Sequence, residues 1–291
     1  MPTLHRLWGN LAFRFGIVVL CVLTLIAIAA PYLDTVDPAA LDYSLINRPA
    51  GEQVTFTFPD GNSVQHTLWM GSDSYGRDIY SRVIYGTRIS LLVALCVAAI
   101  AVTIGMLLGV LAGFVARLDA IIMRTMDGLM AFPSILLAIA LVAALGAQLW
   151  TVIVAVAIPE IPRVVRLVRS MVLTLREEPF VEAAIALATP TSTILSRHIL
   201  PNAVAPLIVQ GTFIAASAVL TEAALSFLGL GLPPDIPTWG NIMAEGRVQF
   251  SQYPGNVMFP ALFLVPTILA INLLGDGMRD ALDPKFAKKT G

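Results

Sequence analysis

The amino-acid sequence predicts an all-α polytopic membrane protein with six transmembrane helices, one cytoplasmic loop and a small extracytoplasmic segment. Its 291 residues are 57% hydrophobic and 13% charged, whereas a soluble domain is about half apolar and about a quarter charged. The apolar residues are collected in runs close to the length of about 20 residues that spans a bilayer as a helix. The predicted spans are residues 15–33, 89–113, 127–145, about 149–166, 203–222 and 257–274.

Basic residues place both termini in the cytoplasm. Residues 1–14 carry His5, Arg6 and Arg14 without an acidic residue, and residues 285–291 carry three lysines. The positive-inside rule assigns such flanks to the cytoplasmic side. Because no convincing cleavage site follows the first apolar run, we interpret that run as a retained span and not as a signal peptide.

Residues 34–88 are polar and predict a segment outside the membrane. Residues 54–58 alternate apolar and polar side chains, residues 59–62 are typical of a turn, and residues 63–68 can return as a second strand. We therefore expect a small β-hairpin, which either packs on the chain's own helices or contacts a partner. In the stretch that follows, Arg77, Asp78 and Arg82 are expected to face water on an amphipathic helix at the membrane interface.

Three glycines mark one face of the second span. Gly105, Gly109 and Gly113 recur every four residues, so they lie on one side of the helix and allow another helix to approach closely. We interpret them as a packing surface. The third span is expected to follow a short cytoplasmic turn that contains Arg117 and Arg124, and to be kinked by Pro133.

The fourth span contains a carboxylate between two prolines. Glu160 lies between Pro159 and Pro162, and Arg163 follows at i+3, where it can pair with Glu160. A charge inside the bilayer is costly and faces a partner or an aqueous path. Two interpretations stay open: a structural ion pair or a lining of the transport pathway.

Residues 177–202 form a polar-flanked island between two apolar regions. Pro179 suits the first turn of a helix, Thr189 and Pro190 predict the start of a second helix, and Pro201 is expected to end it. The sequence thus predicts two short helices joined by a bend. The residues of interest are Glu182, Ala183, Ala184, Ala188, His198, Pro201 and Asn202.

This island resembles the cytoplasmic coupling loop of ABC importer permeases, which docks on the ATP-hydrolysing subunit. The family usually has glycine at the position of Ala188, where glycine permits a left-handed backbone. We expect Pro190 to supply the bend in this chain by restricting Thr189. Further stretches resemble the second, C-type permease subunit of dipeptide and oligopeptide importers, and the hairpin is a local addition to that pattern. These stretches are residues 71–82, 85–90, 222–231, 237–241 and 272–284.

The resemblance implies a bacterial cytoplasmic (inner) membrane protein that forms half of a translocation channel. It implies a sister permease subunit, one or two types of ABC ATPase subunit and an extracytoplasmic substrate-binding protein as partners, with ATP and Mg bound by the ATPases. The domain organisation is then a first helix (1–33), an extracytoplasmic segment (34–88), a permease core (89–284) with its coupling loop (177–202), and a cytoplasmic tail (285–291).

Other activities lack a matching pattern in the sequence. It has no phosphate-binding loop of the Walker type and no set of nucleophile, base and orienting residue, so we predict no enzymatic activity. Three scattered histidines predict no metal site, Cys21 and Cys96 lie in apolar runs, and no basic block suggests nucleic acid. The alternatives are a stand-alone secondary transporter, an importer for nickel, glutathione or another peptide-like solute, and a non-transporting assembly protein.

Overall fold

A computed structural model describes residues 7–58 and 61–282; the predicted basic tail and His5 and Arg6 lie outside them. The regular structure of these described residues is helical apart from one two-stranded sheet, as predicted. The elements are α1 (Leu11–Ala29), β1 (Glu52–Thr57), β2 (Ser63–Leu68), α2 (Ile79–Phe114), α3 (Ala116–Met130), α4 (Ser134–Leu145), α5 (Leu149–Ala157), α6 (Ile161–Arg176), α7 (Pro179–Ala186), α8 (Thr191–Ile194), α9 (Leu200–Phe227), α10 (Trp239–Gly246) and α11 (Gly255–Leu282).

The helices confirm a polytopic membrane protein. Four helical runs in the described residues are long and apolar enough to cross a membrane: Leu11–Tyr32, Ile79–Phe114, Thr191–Phe227 and Gly255–Ala281. A fifth span is possible if α3 and α4 together count as one. The fourth predicted span, from about residue 149 to 166, is divided between α5 and α6 by a 3-10 turn at Ile158–Glu160. Length and composition therefore support four or five spans and not the full predicted count.

The third predicted span differs from the sequence-based expectation. Residues 127–145 do not form one kinked helix, because α3 and α4 meet at 89°. The supposed cytoplasmic turn with Arg117 and Arg124 lies within α3. Pro133 has an extended ψ of 130° and precedes α4, so it separates two helices. Its ring and missing N–H exclude it from a continuous helix interior.

Helix α2 is the centre of the bundle. It extends over 36 residues, or about 54 Å, and packs most extensively against α6 and α9, while α1 packs against α11. The hairpin lies beside the first residue of α2, since His66 contacts Asp78. Gly113 near the last residue of α2 faces Val172 of α6, one turn before α6 leads to α7. We call these two ends the hairpin end and the loop end of the bundle.

Strands β1 and β2 pair antiparallel from Glu52 opposite Leu68 to Thr57 opposite Ser63. The predicted turn between them lies partly outside the described residues. Val54, Phe56 and Leu68 point to one side and are buried, as the alternating pattern predicts. They join Val36, Ala40 and Leu45 in a small core of their own.

Candidate functional site

The loop at residues 177–202 contains a short exposed helix, α7, whose two faces differ. Val181 and Ala184 are buried in the main hydrophobic core, which also includes residues of α2, α6 and α9. Glu182 and Ala183 are exposed, and Ile185 and Leu187 are 55% and 81% exposed. Helix α7 is thus anchored by one face and presents an acidic and apolar surface with the other. This is a suitable arrangement for docking another protein.

Ala188 makes the bend after α7, whereas the sequence predicts that Pro190 makes it. Ala188 has a φ of +55°, in the left-handed region that costs a residue with a Cβ about 1–2 kcal/mol. The N–H of Thr189 donates to the Ala184 carbonyl at 3.0 Å, and the N–H of Ala188 donates to that of Ile185 at 2.9 Å. This pair of bonds is a Schellman motif, which satisfies carbonyls that the helix leaves unpaired.

Glycine in place of Ala188 is expected to stabilise the bend by about 0.5–1 kcal/mol, because relief of the left-handed strain exceeds the added backbone entropy of glycine. Hydrogen exchange of the Thr189 amide should slow by several-fold. Ala186→Gly is the matched control: it lies inside α7, where glycine costs about 1 kcal/mol, so exchange should quicken. Equal or faster exchange in Ala188→Gly would contradict the strain at this residue.

The second part of the loop is continuous with the following span. Helix α8 starts at Thr191 with Pro190, and not Thr189, at the N-cap position. It passes through a π-helical turn at Leu195–Ile199 directly into α9. Pro201 therefore does not end a helix; it occupies the first turn of α9, where its missing N–H is tolerated.

His198 contacts both α7 and the start of α9. The ring of His198 lies 5.9 Å from that of Phe180 on α7, centroid to centroid. The side-chain amide of Asn202 donates to the His198 carbonyl at 2.6 Å. His198 therefore joins α7 to the first turn of α9.

The glycines of α2 face α6, the helix that precedes the loop. A Cβ built on Gly105, Gly109 or Gly113 would lie 2.4–2.6 Å from the Cβ of Val164, Val168 or Val172, respectively. Real Cβ atoms do not approach so closely, so the backbones of α2 and α6 are held at a distance that only glycine permits. The two helices form a tightly packed pair from mid-bundle to the loop end.

Glu160 is buried at the break between α5 and α6 and makes two contacts. Its Oε2 accepts from Nη1 of Arg163 at 3.0 Å, and its Oε1 accepts from the Ser217 hydroxyl on α9 at 3.1 Å. The Arg163 side chain is 54% exposed whereas that of Glu160 is 6% exposed. The carboxylate thus connects α6 to α9, and the guanidinium points away from the core of this chain.

A cluster of buried charges, which the sequence does not predict, lies at the hairpin end. Arg77, Asp78 and Arg82 are 5%, 1% and 0% exposed, so they do not face water as the amphipathic pattern predicts. Nε of Arg77 donates to Asp73 Oδ2 at 2.7 Å, and both arginines donate to Glu245 Oε2 on α10. Burial raises the pKa of Glu245, and the guanidinium groups of Arg82 and Arg77 oppose that change.

The cluster connects the start of α2 to the polar segment before α10. Nη2 of Arg82 also donates to the carbonyl of Pro234 at 3.1 Å, and Nη1 to that of Pro38 at 3.3 Å. The close spacing of Arg77 and Arg82 beside an apolar helix is the feature of the sequence that could have indicated a buried charge cluster. Their acidic partner is 163 residues from Arg82, and no local pattern shows such a pairing.

The chain belongs to the family of binding-protein-dependent transport system inner membrane components, whose model matches residues 101–288. The matched region runs from the second half of α2 through α11, and therefore includes the tight α2–α6 packing and the exposed α7 helix. It is thus a permease subunit of an ABC importer, and its relatives include permease proteins of peptide, dipeptide and glutathione transport systems.

Two similar proteins support this assignment, and one solved structure shares the fold. The chain is 46% identical to a probable peptide ABC transporter permease protein, y4tQ, of Sinorhizobium fredii, over 91% of this chain and 86% of that protein. It is 42% identical to the dipeptide transport system permease protein DppC of Alkalihalophilus pseudofirmus, over 93% and 85%. The fold matches the inward-facing MetNI methionine ABC transporter with a TM-score of 0.56 and 20% identity, over 70% of this chain and 98% of that chain.

Proposed function

We propose that this chain forms one half of the translocation channel of an ATP-driven importer of dipeptides and oligopeptides. The observation that carries the proposal is the two-faced helix α7, anchored in the core through Val181 and Ala184 and exposed through Glu182 and Ala183. The other half is a sister permease, and one or two types of ABC ATPase dock at the loop end. ATP and Mg are bound by those ATPases, so this chain supplies motion and not hydrolysis.

The peptide substrate is proposed from the relatives, since y4tQ and DppC are named as peptide and dipeptide permeases. An extracytoplasmic binding protein delivers the peptide at the hairpin end. In this orientation both termini and the loop end lie in the cytoplasm, and the chain resides in the inner membrane of a bacterium. The hairpin and the buried charge cluster then lie on the extracytoplasmic side.

The packing suggests how the loop moves the spans. Closure of the ATPase pair displaces α7, and Val181 and Ala184 transmit the displacement because they share one core with α6 and α9. Close packing makes such a core bistable and not continuously deformable. The α2–α6 pair moves as a unit, because the close contacts between its glycines and valines hold the two helices together. We propose that Glu160 holds α6 against α9, and that its partner Arg163 faces the channel or the sister subunit.

Glu182→Arg is expected to lower peptide-stimulated ATPase activity by about tenfold or more, equivalent to about 1.4 kcal/mol of coupling, while the spans stay folded. The measurement uses the chain reconstituted in proteoliposomes with its sister permease, ATPases and binding protein, and follows both ATP hydrolysis and peptide uptake. Glu52→Arg is the matched control, because it makes the same charge change on the hairpin and removes only an exposed pair with Arg48, which contributes little.

Undiminished coupling in Glu182→Arg would contradict the docking role of α7. Uptake by this chain alone, driven by an ion gradient without ATP, would instead establish a secondary transporter. Uptake that requires ATP but accepts only glutathione or nickel would keep the coupling role and replace the substrate.

A further inference from the structure

The hairpin is a separately packed unit beside the membrane helices. We call residues 36–58 and 61–68 the hairpin unit. Its buried apolar residues contact one another and form a core distinct from the two that unite the helices. A two-stranded hairpin is marginally stable in water, so its attachment to α2 determines how firmly it is held.

That attachment includes a buried histidine and aspartate pair. Nε2 of His66 on β2 lies 3.2 Å from Oδ2 of Asp78, and the two side chains are 2% and 0% exposed. Asp78 is the N-cap of α2: its Oδ2 accepts from the Ser81 N–H at 2.8 Å and from the Ser81 hydroxyl. The same hydroxyl accepts from the Val36 N–H at 2.9 Å. Asp78 is thus fixed to α2 and His66 to the hairpin, and the bond between them joins the two units.

The charge on Asp78 favours a protonated histidine. Within the described residues the second carboxylate oxygen of Asp78, Oδ1, is buried and has no hydrogen-bond partner. A buried carboxylate needs a compensating charge. The hydrogen bond to Asp78 raises the pKa of His66, burial opposes this, and the charges of Asp78 and Asp34 raise it further. Tyr80 on α2 is the other titratable group near these two carboxylates.

We propose that His66 and Asp78 form a proton-controlled joint that holds the hairpin unit on α2 at acidic pH and loosens it at alkaline pH. The sign follows from linkage: a histidine whose pKa rises on folding contributes its full stabilisation below its unfolded value of about 6.5, and loses it as the pH rises through the folded value. The proposal concerns conformation and does not depend on the identity of the transported solute.

Hydrogen exchange of the hairpin amides in the assembled transporter tests this joint. After correction for intrinsic rates, protection of the amides of β1 and β2 should fall several-fold between about pH 5.5 and about pH 8.5, a tenfold fall corresponding to a pKa shift of about one unit. His66→Gln should make protection independent of pH. Asp78→Asn should do the same while keeping the helix cap, since asparagine also caps helices well.

Glu52→Gln is the matched control, because it neutralises the exposed acidic group of β1, which pairs with Arg48 at 3.3 Å. It should retain the pH dependence of the natural chain. The joint is refuted if the natural chain shows the same protection at both pH values, or if Asp78→Asn retains the natural pH dependence. Because Asp78→Asn keeps the cap, the test stands even where His66→Gln does not fold.

Discussion

Glu245→Gln is expected to lower the free energy of unfolding by about 3–5 kcal/mol, the usual cost of leaving a buried charge without its partner. In the natural chain Glu245 accepts from Arg77 and Arg82. Glutamine keeps the shape of the side chain and removes its charge, so Arg77 would keep its pair with Asp73. Arg82 would keep only the more distant charges of Asp73 and Asp235. Thermal unfolding of the purified chain in detergent, followed by tryptophan fluorescence, measures the loss.

A charge-balanced double variant distinguishes charge from packing. Arg82→Met combined with Glu245→Gln removes one positive and one negative charge, and leaves Arg77 with Asp73. Because the two positions share one network, the effects should be strongly non-additive, and the double variant should be more stable than Glu245→Gln alone. A double variant that loses the sum of both single effects would show that shape, and not charge, holds α10 to α2.

Gly109→Val is expected to disrupt the α2–α6 pair and to reduce both stability and transport. The new Cβ would lie 2.6 Å from the Cβ of Val168 and 2.9 Å from the carbonyl oxygen of Val165. A backbone atom cannot turn aside as a side chain can, so the helices must separate. Overpacking costs about 1–3 kcal/mol and occasionally more, and the backbone contact places this substitution at the upper end. Thermal unfolding and ATP-driven uptake report the two effects.

Gly128→Ala provides the control for this substitution. Gly128 lies in α3, and a Cβ there would meet nothing within 4 Å. Alanine should therefore stabilise α3 by about 1 kcal/mol through helix propensity. If Gly109→Val were as stable as Gly128→Ala, the close contact between α2 and α6 would not be required.

The sequence predicts most of the helices because their information is local. Apolar runs of membrane length located α1, α2, α9 and α11, although α2 begins at Ile79 and not at residue 89, and α11 ends at Leu282 and not at residue 274. The alternating residues 54–58 matched a strand. The loop was located by a family pattern of residue types. Its surface could be anticipated only in part, since helical spacing does not say that Val181 is buried and Glu182 exposed.

The errors arise where distant residues override a local preference. Arg82 has the pattern of a water-facing residue, but Glu245 and two backbone carbonyls accept hydrogen bonds from its Nη1 and Nη2 atoms inside the protein. Ala188 has no intrinsic preference for a positive φ, and the Schellman hydrogen bonds impose it. Pro201 is tolerated in a continuous helical run because a π turn precedes it. Each outcome depends on partners that are absent from the local sequence.

The π turn at Leu195–Ile199 sets the angle between the loop and the channel. A π turn is equivalent to one residue inserted into a regular helix, and each residue rotates the helix face by about 100°. Deleting one residue within 195–199 would restore a regular helix and rotate α8 and α7 by that angle relative to α9. The orientation of the docking surface is therefore encoded in the number of residues before α9, independently of which residues form the surface.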